Sequence, residues 1–464
     1  MPELPEVETI KRYLERTIID KEVIKTEILW SKVTPHSEIE MNDYLVNESI
    51  IGIARYAKYL VLMFTNDKSL IAHFRMEGRF YIRGEKETNS PYPSLIIYFK
   101  DNTKLIYDDS RRFGILDIWP FNQIMEYPGI KKLGPEPWRI TGEEFGERLT
   151  IRNTQIKKAL LDQELISGIG NIYADEINFA AGIHPKTLTR YIPEQLFRPM
   201  LLDTQRILEL AINNNGTQVK SFIGADDLPP HFQEKLQCYG REGLPCKKCG
   251  RPLRKCFIGG RGTTYCSYCQ KNFNFPLVIG VTGLILSGKS TVANIFEENG
   301  YPIIDCDKIV AEAYHDTNVR ANIASILDIS LESVNKEVVR NIMTANPQQF
   351  EKIEKLLFKY VLKIVENFKK TNKHHKLIVV EAAVLYKAEM DTYFDYIIGV
   401  EASFITQKAR LETRRNLNEE MLVNYNKKNG YLKNLKSVDF HINTDHNDIN
   451  ETRTTVDDIL KIIL

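Results

Sequence analysis

Cys246, Cys249, Cys266 and Cys269 form two C-x2-C pairs separated by sixteen residues. Each pair can bend into a knuckle, and two knuckles complete a tetrahedron of thiolates around Zn²⁺. Four thiolates leave no open coordination position, so the metal would be structural, stiffening a hairpin that carries GGRGTTY (259–265). Buried free cysteines are the alternative, and two correctly spaced pairs argue against them. Cys238 and Cys256 stand outside the spacing and read as bystanders, and Cys306 lies far along the chain.

A second constellation is Gly283-x4-Gly288-Lys289-Ser290. It follows the apolar run PLVIGVTG (276–283) and precedes a helical pattern, the context that separates a phosphate-binding loop from a chance glycine turn. Backbone N–H groups from Gly283 through Ser287, Gly288 and Thr291 would cradle the phosphates of a nucleotide. Lys289 would neutralise them, and the Ser290 hydroxyl suits Mg²⁺. Downstream, YPIIDCDKIV (301–310) reads as a strand ending in Asp305 and Asp307. A carboxylate there can accept the proton of an acceptor hydroxyl.

The third is the opening, MPELPEVETI. Removal of the initiator Met exposes the secondary amine of Pro2, and α-amino groups titrate near about 7.7–8.0. Such an amine attacking a sugar C1′ gives an iminium, cationic without a proton and an electron sink for eliminating adjacent phosphates. Glu3 and Glu6 stand beside it to handle protons. A Met-Pro start alone carries none of this; the rest of the chain must support it.

The elements that would position these groups change character along the chain. From Val23 to about Pro120, runs such as YLVLMF (59–64), SLIIYF (94–99) and KLIYDD (104–109) predict strands of an antiparallel sheet system. Helical periodicity dominates from Thr141 to Asn213, broken by Gly168, Gly170, Gly182 and Pro185. A Gly-, Lys- and Cys-rich stretch runs to Gln270, and alternating strands and helices continue to Leu464, the rhythm of a parallel α/β domain. The junction KNFNF (271–275) is short and not Gly/Ser-rich, so closely joined domains are expected.

Composition excludes little beyond this. The 464 residues suit two or three domains, and 62 Lys plus Arg nearly cancel 61 Asp plus Glu. No run approaches the ~18 apolar residues of a membrane span, and the start lacks a signal peptide's apolar core. A cytoplasmic, monomeric protein is the expectation, with its cysteines reduced.

In order, MPELPEVETI, ARYAKYLVL with Lys58, HFRMEG (73–78), DDSRRFG (108–114), LISGIGNIYADE (165–176) and GRGTTYCSYCQ (260–270) make residues 1–271 resemble bacterial formamidopyrimidine-DNA glycosylase. The resemblance implies an N-terminal β-sandwich (1–130), a helix–two-turns–helix DNA-binding domain (131–235) and a zinc finger (236–271), acting on damaged double-stranded DNA. It casts Pro2 as Schiff-base nucleophile, Glu3 as proton donor, Lys58 in β-elimination, Arg261 in δ-elimination and Asn171 as a phosphate contact. Met76, Arg111 and Phe113 match the set that fills the gap left by an extruded base. The loop around Lys220–Pro230 corresponds to the family's lid over that base. Two positions depart: Tyr92 stands where a DNA-contacting histidine is common, and Asn153 where a basic contact is expected, with Arg152 and Lys157 as nearby replacements.

The remainder, 276–464, resembles dephospho-coenzyme A kinase through TGLILSGKST, GYPIIDCDKI and ITQKARLETR (405–414). That resemblance implies an α/β P-loop kinase in which Asp307 activates the ribose 3′-hydroxyl of dephospho-coenzyme A, while Arg410 and Arg414 steady the transferring phosphate. Here Leu284 and Leu286 replace glycines, Phe358-Lys359 replaces His-Pro, Glu381 begins the altered Asp-x-Pro-Leu-Leu-Phe strand, and Arg415 replaces an Asp.

The leading reading is a bifunctional enzyme, excising oxidised purines at one end and phosphorylating dephospho-coenzyme A at the other. Three others stay open at this point: a noncatalytic nucleotide-binding rear half, a front half that binds DNA without chemistry, and specificity for oxidised pyrimidines as in the endonuclease VIII group.

Overall fold

The short apolar runs of the front half do become strands: β1 (Val23–Ile28), β2 (Ile50–Tyr56), β3 (Tyr59–Phe64), β4 (Lys68–His73), β5 (Arg79–Gly84), β6 (Pro93–Phe99), β7 (Thr103–Asp108) and β8 (Ile115–Pro120). They build two antiparallel four-stranded sheets, ordered β1-β6-β7-β5 and β2-β3-β4-β8. Both sheets bury one face in a common core with the first helix, Leu4–Thr17. Val7, Ile10 and Leu14 from the helix meet Leu60 and Leu62 of β3 and Leu95 and Ile97 of β6. Successive residues point to opposite faces, so Val61, between Leu60 and Leu62, lies in a second cluster with Ile71, Ile124 and Ile130.

The computed structural model describes residues 2–217, 232–339, 346–383, 393–412, 419–428, 438–446 and 448–464. They fall into two compact units, Met1–Ala181 with Ile192–Tyr239, and Gly182–Tyr191 with Gly240–Leu464. Beyond the sandwich, the first unit holds helices Gly142–Thr150, Ile156–Leu161, Asn171–Ala180 and Phe197–Asn213, within the window where helical periodicity dominates. Lys157 and Asp175 join the second and third of these by a fully buried ion pair at 2.6 Å. Lys157 therefore does not replace the missing basic contact: the apolar face of its helix carries it inward. Arg152 is exposed, but its guanidinium bonds Asp162 and Glu164. Removing one member of a buried pair costs about 3–5 kcal/mol, so Lys157→Met is expected to lower stability by that amount in denaturant titration.

In the second unit, β9 (Arg254–Ile258) and β10 (Arg261–Tyr265) form the hairpin, closed by Gly259 and Gly260 with φ of +56° and +72°. Two left-handed residues match the twist of a two-residue hairpin turn, which is why glycines occupy both. β11 (Leu277–Gly283), β12 (Ile303–Asp305), β13 (Leu377–Glu381), β14 (Tyr396–Glu401) and β15 (Phe440–Asn443) make a parallel sheet ordered β12-β13-β11-β14-β15. β11 is buried throughout because both sheet faces are covered. Leu277, Ile279 and Val281 face the helices Lys289–Glu298 and Ile449–Ile463, whereas Val278 faces Cys306–Ala313 and Pro347–Thr371. Phe358 and Lys359 fall inside that last helix.

Candidate active sites

In the first unit the chain start is folded onto a glycine loop. The Leu4 N–H donates to Gly168 O at 3.0 Å, and Pro2 and Glu3 are buried. Glu3 seats its carboxylate on the N-terminus of Asn171–Ala180: Oε2 accepts from the Gly170 N–H (2.7 Å) and Oε1 from the Ile172 N–H (2.9 Å). The approach leaves no room for side chains. A Cβ on Gly170 would lie 2.3 Å from Glu3 Cδ, and one on Gly168, at φ +95°, 2.4 Å from Leu4. This is the physical content of the ISGIG motif.

The first N–H groups of this helix are thus engaged by an internal carboxylate; Asn171, the expected phosphate contact, begins the helix half-buried. Burial raises the Glu3 pKa above its ordinary value. Lys58 and the Ile172 and Tyr173 N–H groups pull it back, and Glu6 pushes it up. Lys58 comes from the turn between β2 and β3, held where Glu136 accepts from the Ala57 N–H (2.9 Å) and from Arg55 (2.6 and 3.0 Å). Its buried ammonium donates to Ile169 O at 2.7 Å. Glu6 accepts from the Tyr173 hydroxyl (2.7 Å) and the Thr217 N–H (2.9 Å).

One neighbour was not singled out by the sequence reading. His73, at the end of β4 opposite Tyr59, is pushed down to about 3 by burial and by the charges of Arg75 and Lys58. It stays neutral, and its Nδ1 accepts from the Arg75 N–H at 3.1 Å. Its place in HFRMEG was the available signal.

The proposed gap-filling residues lie on two loops that meet. Tyr107 places its hydroxyl where a Cβ on Gly78 or Gly114 would be, at 2.1 and 1.7 Å. Ser110 also donates to Glu77. Asp109 gathers the second loop, accepting from the N–H groups of Arg111 (3.0 Å), Phe113 (2.9 Å) and Gly114 (2.7 Å). Arg111 stacks over the exposed Phe113 ring at 5.0 Å, and Met76 is half-buried. Tyr92 is exposed beside the same segment, its N–H donating to Asp108 at 2.7 Å. The lid region, Lys220–Pro230, lies outside the described residues.

In the second unit Arg261 is exposed at the start of β10. The sulfurs of Cys246, Cys249, Cys266 and Cys269 lie within 4.8 Å of one another, with Cys246–Cys269 at 3.8 Å and Cys249–Cys266 at 3.6 Å. Zinc–thiolate bonds of about 2.3 Å give a tetrahedron with edges of about 3.8 Å, so the four cysteines fit the metal.

At the far end of β11 the loop turns into the helix Lys289–Glu298, with Gly288 at φ +94° as its N-cap. Leu286 adopts φ +60°, a left-handed conformation that costs a non-glycine residue about 1–2 kcal/mol. The turn persists without glycine there because the Leu286 carbonyl is held by Arg410 Nη1 at 2.9 Å. Arg410 also binds Thr444 O at 2.7 Å, and the Thr444 hydroxyl donates to Ser287 O at 2.8 Å. Arg414 and Arg415 lie outside the described residues.

Lys289 donates to Leu284 O at 3.1 Å. Ser290 is exposed and donates to Glu381 at 2.8 Å, and Thr291 is exposed on the next position of the helix. β12 pairs with β13 so that Asp305 lies opposite Glu381. Asp305 caps the following helix by accepting from the Asp307 N–H at 2.8 Å. Burial raises the Asp307 pKa, Asp305 adds to the shift, and Lys289 opposes it. Burial raises Glu381 as well. Carboxylates and a hydroxyl are thus gathered beside the loop, a donor set that suits Mg²⁺.

These two constellations define a DNA-repair glycosylase module and a nucleotide-dependent kinase module. The family model for the formamidopyrimidine-DNA glycosylase N-terminal domain matches residues 1–116, that for its H2TH domain 133–222, and that for dephospho-CoA kinase 277–443. A formamidopyrimidine-DNA glycosylase of Ligilactobacillus salivarius is 37% identical over 272 residues, covering 58% of this chain and 99% of the relative. One of Bacillus licheniformis is 37% identical over 276 residues, covering 58% and 100%. The crystal structure of Lactococcus lactis Fpg with DNA containing an abasic site is similar at TM-score 0.55 and 33% identity, over 58% of this chain and 99% of that one. The chain belongs to the formamidopyrimidine-DNA glycosylase family, with a dephospho-CoA kinase domain following in the same polypeptide.

Proposed function

We propose that this chain is a bifunctional enzyme: a DNA glycosylase and abasic-site lyase for oxidised purines, 8-oxoguanine and formamidopyrimidines, joined to an ATP-dependent kinase for the 3′-hydroxyl of dephospho-coenzyme A. The observation that carries the first half is the Glu3 carboxylate, buried on the Gly170 and Ile172 N–H groups next to Pro2 and within the field of Lys58. The domains are read as 1–130, 131–235, 236–271 and 276–464.

In this reading the Pro2 nitrogen attacks C1′ of the damaged nucleotide as the base departs. Glu3 gives its proton to the ring oxygen, which opens the sugar and leaves an iminium on Pro2. Lys58 assists loss of the 3′-phosphate, and Arg261 loss of the 5′-phosphate. Met76, Arg111 and Phe113 fill the duplex gap, and Asn171 and Tyr92 contact the DNA. Zinc is held structurally by the four cysteines.

In the kinase half, Gly283, Ser287, Gly288, Lys289, Ser290 and Thr291 bind ATP, and Asp307 takes the proton of the acceptor hydroxyl. Arg410 and Arg414 steady the phosphate. Mg²⁺ held near Ser290 and Glu381 would offset the charge of the ATP phosphates. Lys289, Ser290, Asp305 and Asp307 are all present, which favours an active kinase over an accessory domain. The protein is read as a cytoplasmic monomer.

Borohydride reduction with an 8-oxoguanine duplex is expected to trap a covalent protein–DNA adduct, reduced in yield in Pro2→Gly, whose primary amine gives an imine that must be protonated to serve as the same electron sink. No adduct at any lesion would reject the lyase assignment. Preference for an oxidised pyrimidine duplex would move the specificity to the endonuclease VIII group.

A further inference from the structure

We propose that the cysteine hairpin, the segment Gly182–Tyr191 and the P-loop sheet form one cooperative folding unit, so that metal at the cysteines and nucleotide at the P-loop stabilise each other. The inference rests on the metal and nucleotide readings above and concerns what joins them.

Asp439, at the entry to β15, is the centre of the joint. It is buried, and its Oδ1 accepts from the hydroxyls of Tyr265 (2.7 Å) and Ser267 (2.8 Å), residues flanking the ligand Cys266. Its Oδ2 accepts from the Ile397 N–H of β14 at 2.8 Å. One carboxylate thus ties the cysteine site to two strands of the sheet. Asp395, at the entry to β14, repeats the arrangement toward the linker. It accepts from Asn274 at 2.5 Å and from the Val278 N–H of β11 at 2.8 Å, while the Asn272 N–H donates to the Tyr396 hydroxyl at 3.1 Å. Around these bonds His184 packs on Tyr265 and Tyr396, and Tyr268 on Phe440, with ring centroids 4.6, 5.1 and 5.2 Å apart. Lys186 donates to Phe394 O at 2.8 Å.

Two buried carboxylates satisfied from both sides distinguish this joint from a flexible tether. Buried polar groups stripped of partners are penalised far more than exposed ones, so neither side can open without leaving the other unsatisfied. The joint also leads directly to the phosphate loop. β15 lies between Asp439 and Thr444, and the Thr444 hydroxyl donates to Ser287 O and accepts from Arg410. A ligand that binds only the folded form stabilises whatever unfolds with its site. Metal and nucleotide each do so here, and their linkage is reciprocal.

The test uses the full-length chain with its zinc content measured. Release of zinc to a chromogenic chelator is followed with and without a non-hydrolysable ATP analogue, and amide exchange is mapped across β14 and β15. Nucleotide is expected to slow release about five-fold or more, and metal removal to speed exchange in both strands. Tyr265→Phe combined with Ser267→Ala, or Ser267→Ala alone should the pair not fold, is expected to weaken both effects while retaining the metal. Release indifferent to bound nucleotide, or β14 and β15 exchange unchanged by metal removal, overturns the proposal. A chain that carries no zinc, or binds no analogue, refutes that separate reading; the joint then stands or falls on whether Ser267→Ala speeds exchange across β14 and β15.

Discussion

Glu3→Gln is expected to lower lesion excision by about 10²–10⁴-fold, the usual contribution of a positioned proton donor, and to reduce borohydride trapping in parallel. Gln cannot supply the carboxyl proton. It also fits the site poorly: the Glu3 oxygens accept from the Gly170 and Ile172 N–H groups, and the Gln amide would turn an NH₂ toward one of them. An unsatisfied buried donor costs about 1–3 kcal/mol, so a modest loss of stability accompanies the loss of rate.

The pH profile separates the two effects. Burial holds the Glu3 carboxyl above its ordinary range, against the opposing pull of Lys58. Its protonated form therefore persists to higher pH than in a free glutamate, near about 4.3. A donor is active below its pKa, so excision in the native protein is expected to fall as pH rises through the raised Glu3 value. That limb should be absent from the residual activity of Glu3→Gln. Binding to a duplex with a non-reactive abasic analogue should change only a few-fold, because the carboxylate is turned inward. A Glu3→Gln protein that retains full excision and the same profile would remove Glu3 from the chemistry.

What the sequence made legible was local. The cysteine spacing, the P-loop context and the short apolar runs of β3, β6 and β7 are short-range patterns whose physics is complete within a few residues, and the structure contains each of them. Contacts across large sequence separations were not readable. Glu3 reaches Gly170 and Ile172 through space, so the N-terminus of the helix that Asn171 begins is engaged from within. Lys157 sits in a basic stretch that reads as surface, yet its partner Asp175 lies on another helix and both are buried. Asp395 and Asp439 look like ordinary acids at strand entries; their importance comes from linker and hairpin side chains that pack on them only once the sheet has formed. KNFNF did suggest a close junction by lacking Gly and Ser, but its partners could not be named from composition. Leu286 is the converse case, where a leucine replaces a glycine of the resembled pattern. The left-handed turn is kept, with its carbonyl held by Arg410.

That retained turn bears on the second large effect. Purified full-length protein is expected to phosphorylate dephospho-coenzyme A with ATP, and Asp307→Asn to lower the rate by about 10²–10⁴-fold, leaving ATP binding within a few-fold. Asp307 is placed by the Asp305 cap at the end of β12, where Asp305 lies opposite Glu381, and it stands within the field of Lys289. Burial and the neighbouring Asp305 raise its pKa, and a base acts only when deprotonated. The rate is therefore expected to rise with pH through a value above that of a free aspartate, about 3.9. Asn cannot take the proton, so this limb should vanish. Lys289→Ala differs in kind. It removes the cation at the phosphate loop, so ATP affinity falls together with turnover. If the native protein binds ATP but transfers no phosphate while lesion excision is intact, the rear domain is a nucleotide-binding accessory. The strained Leu286 and its Arg410 clamp would then be the first places to look for the lost activity, because Leu286 lies on the loop that must close around the phosphates and Arg410, from the helix Phe404–Leu411, holds its carbonyl.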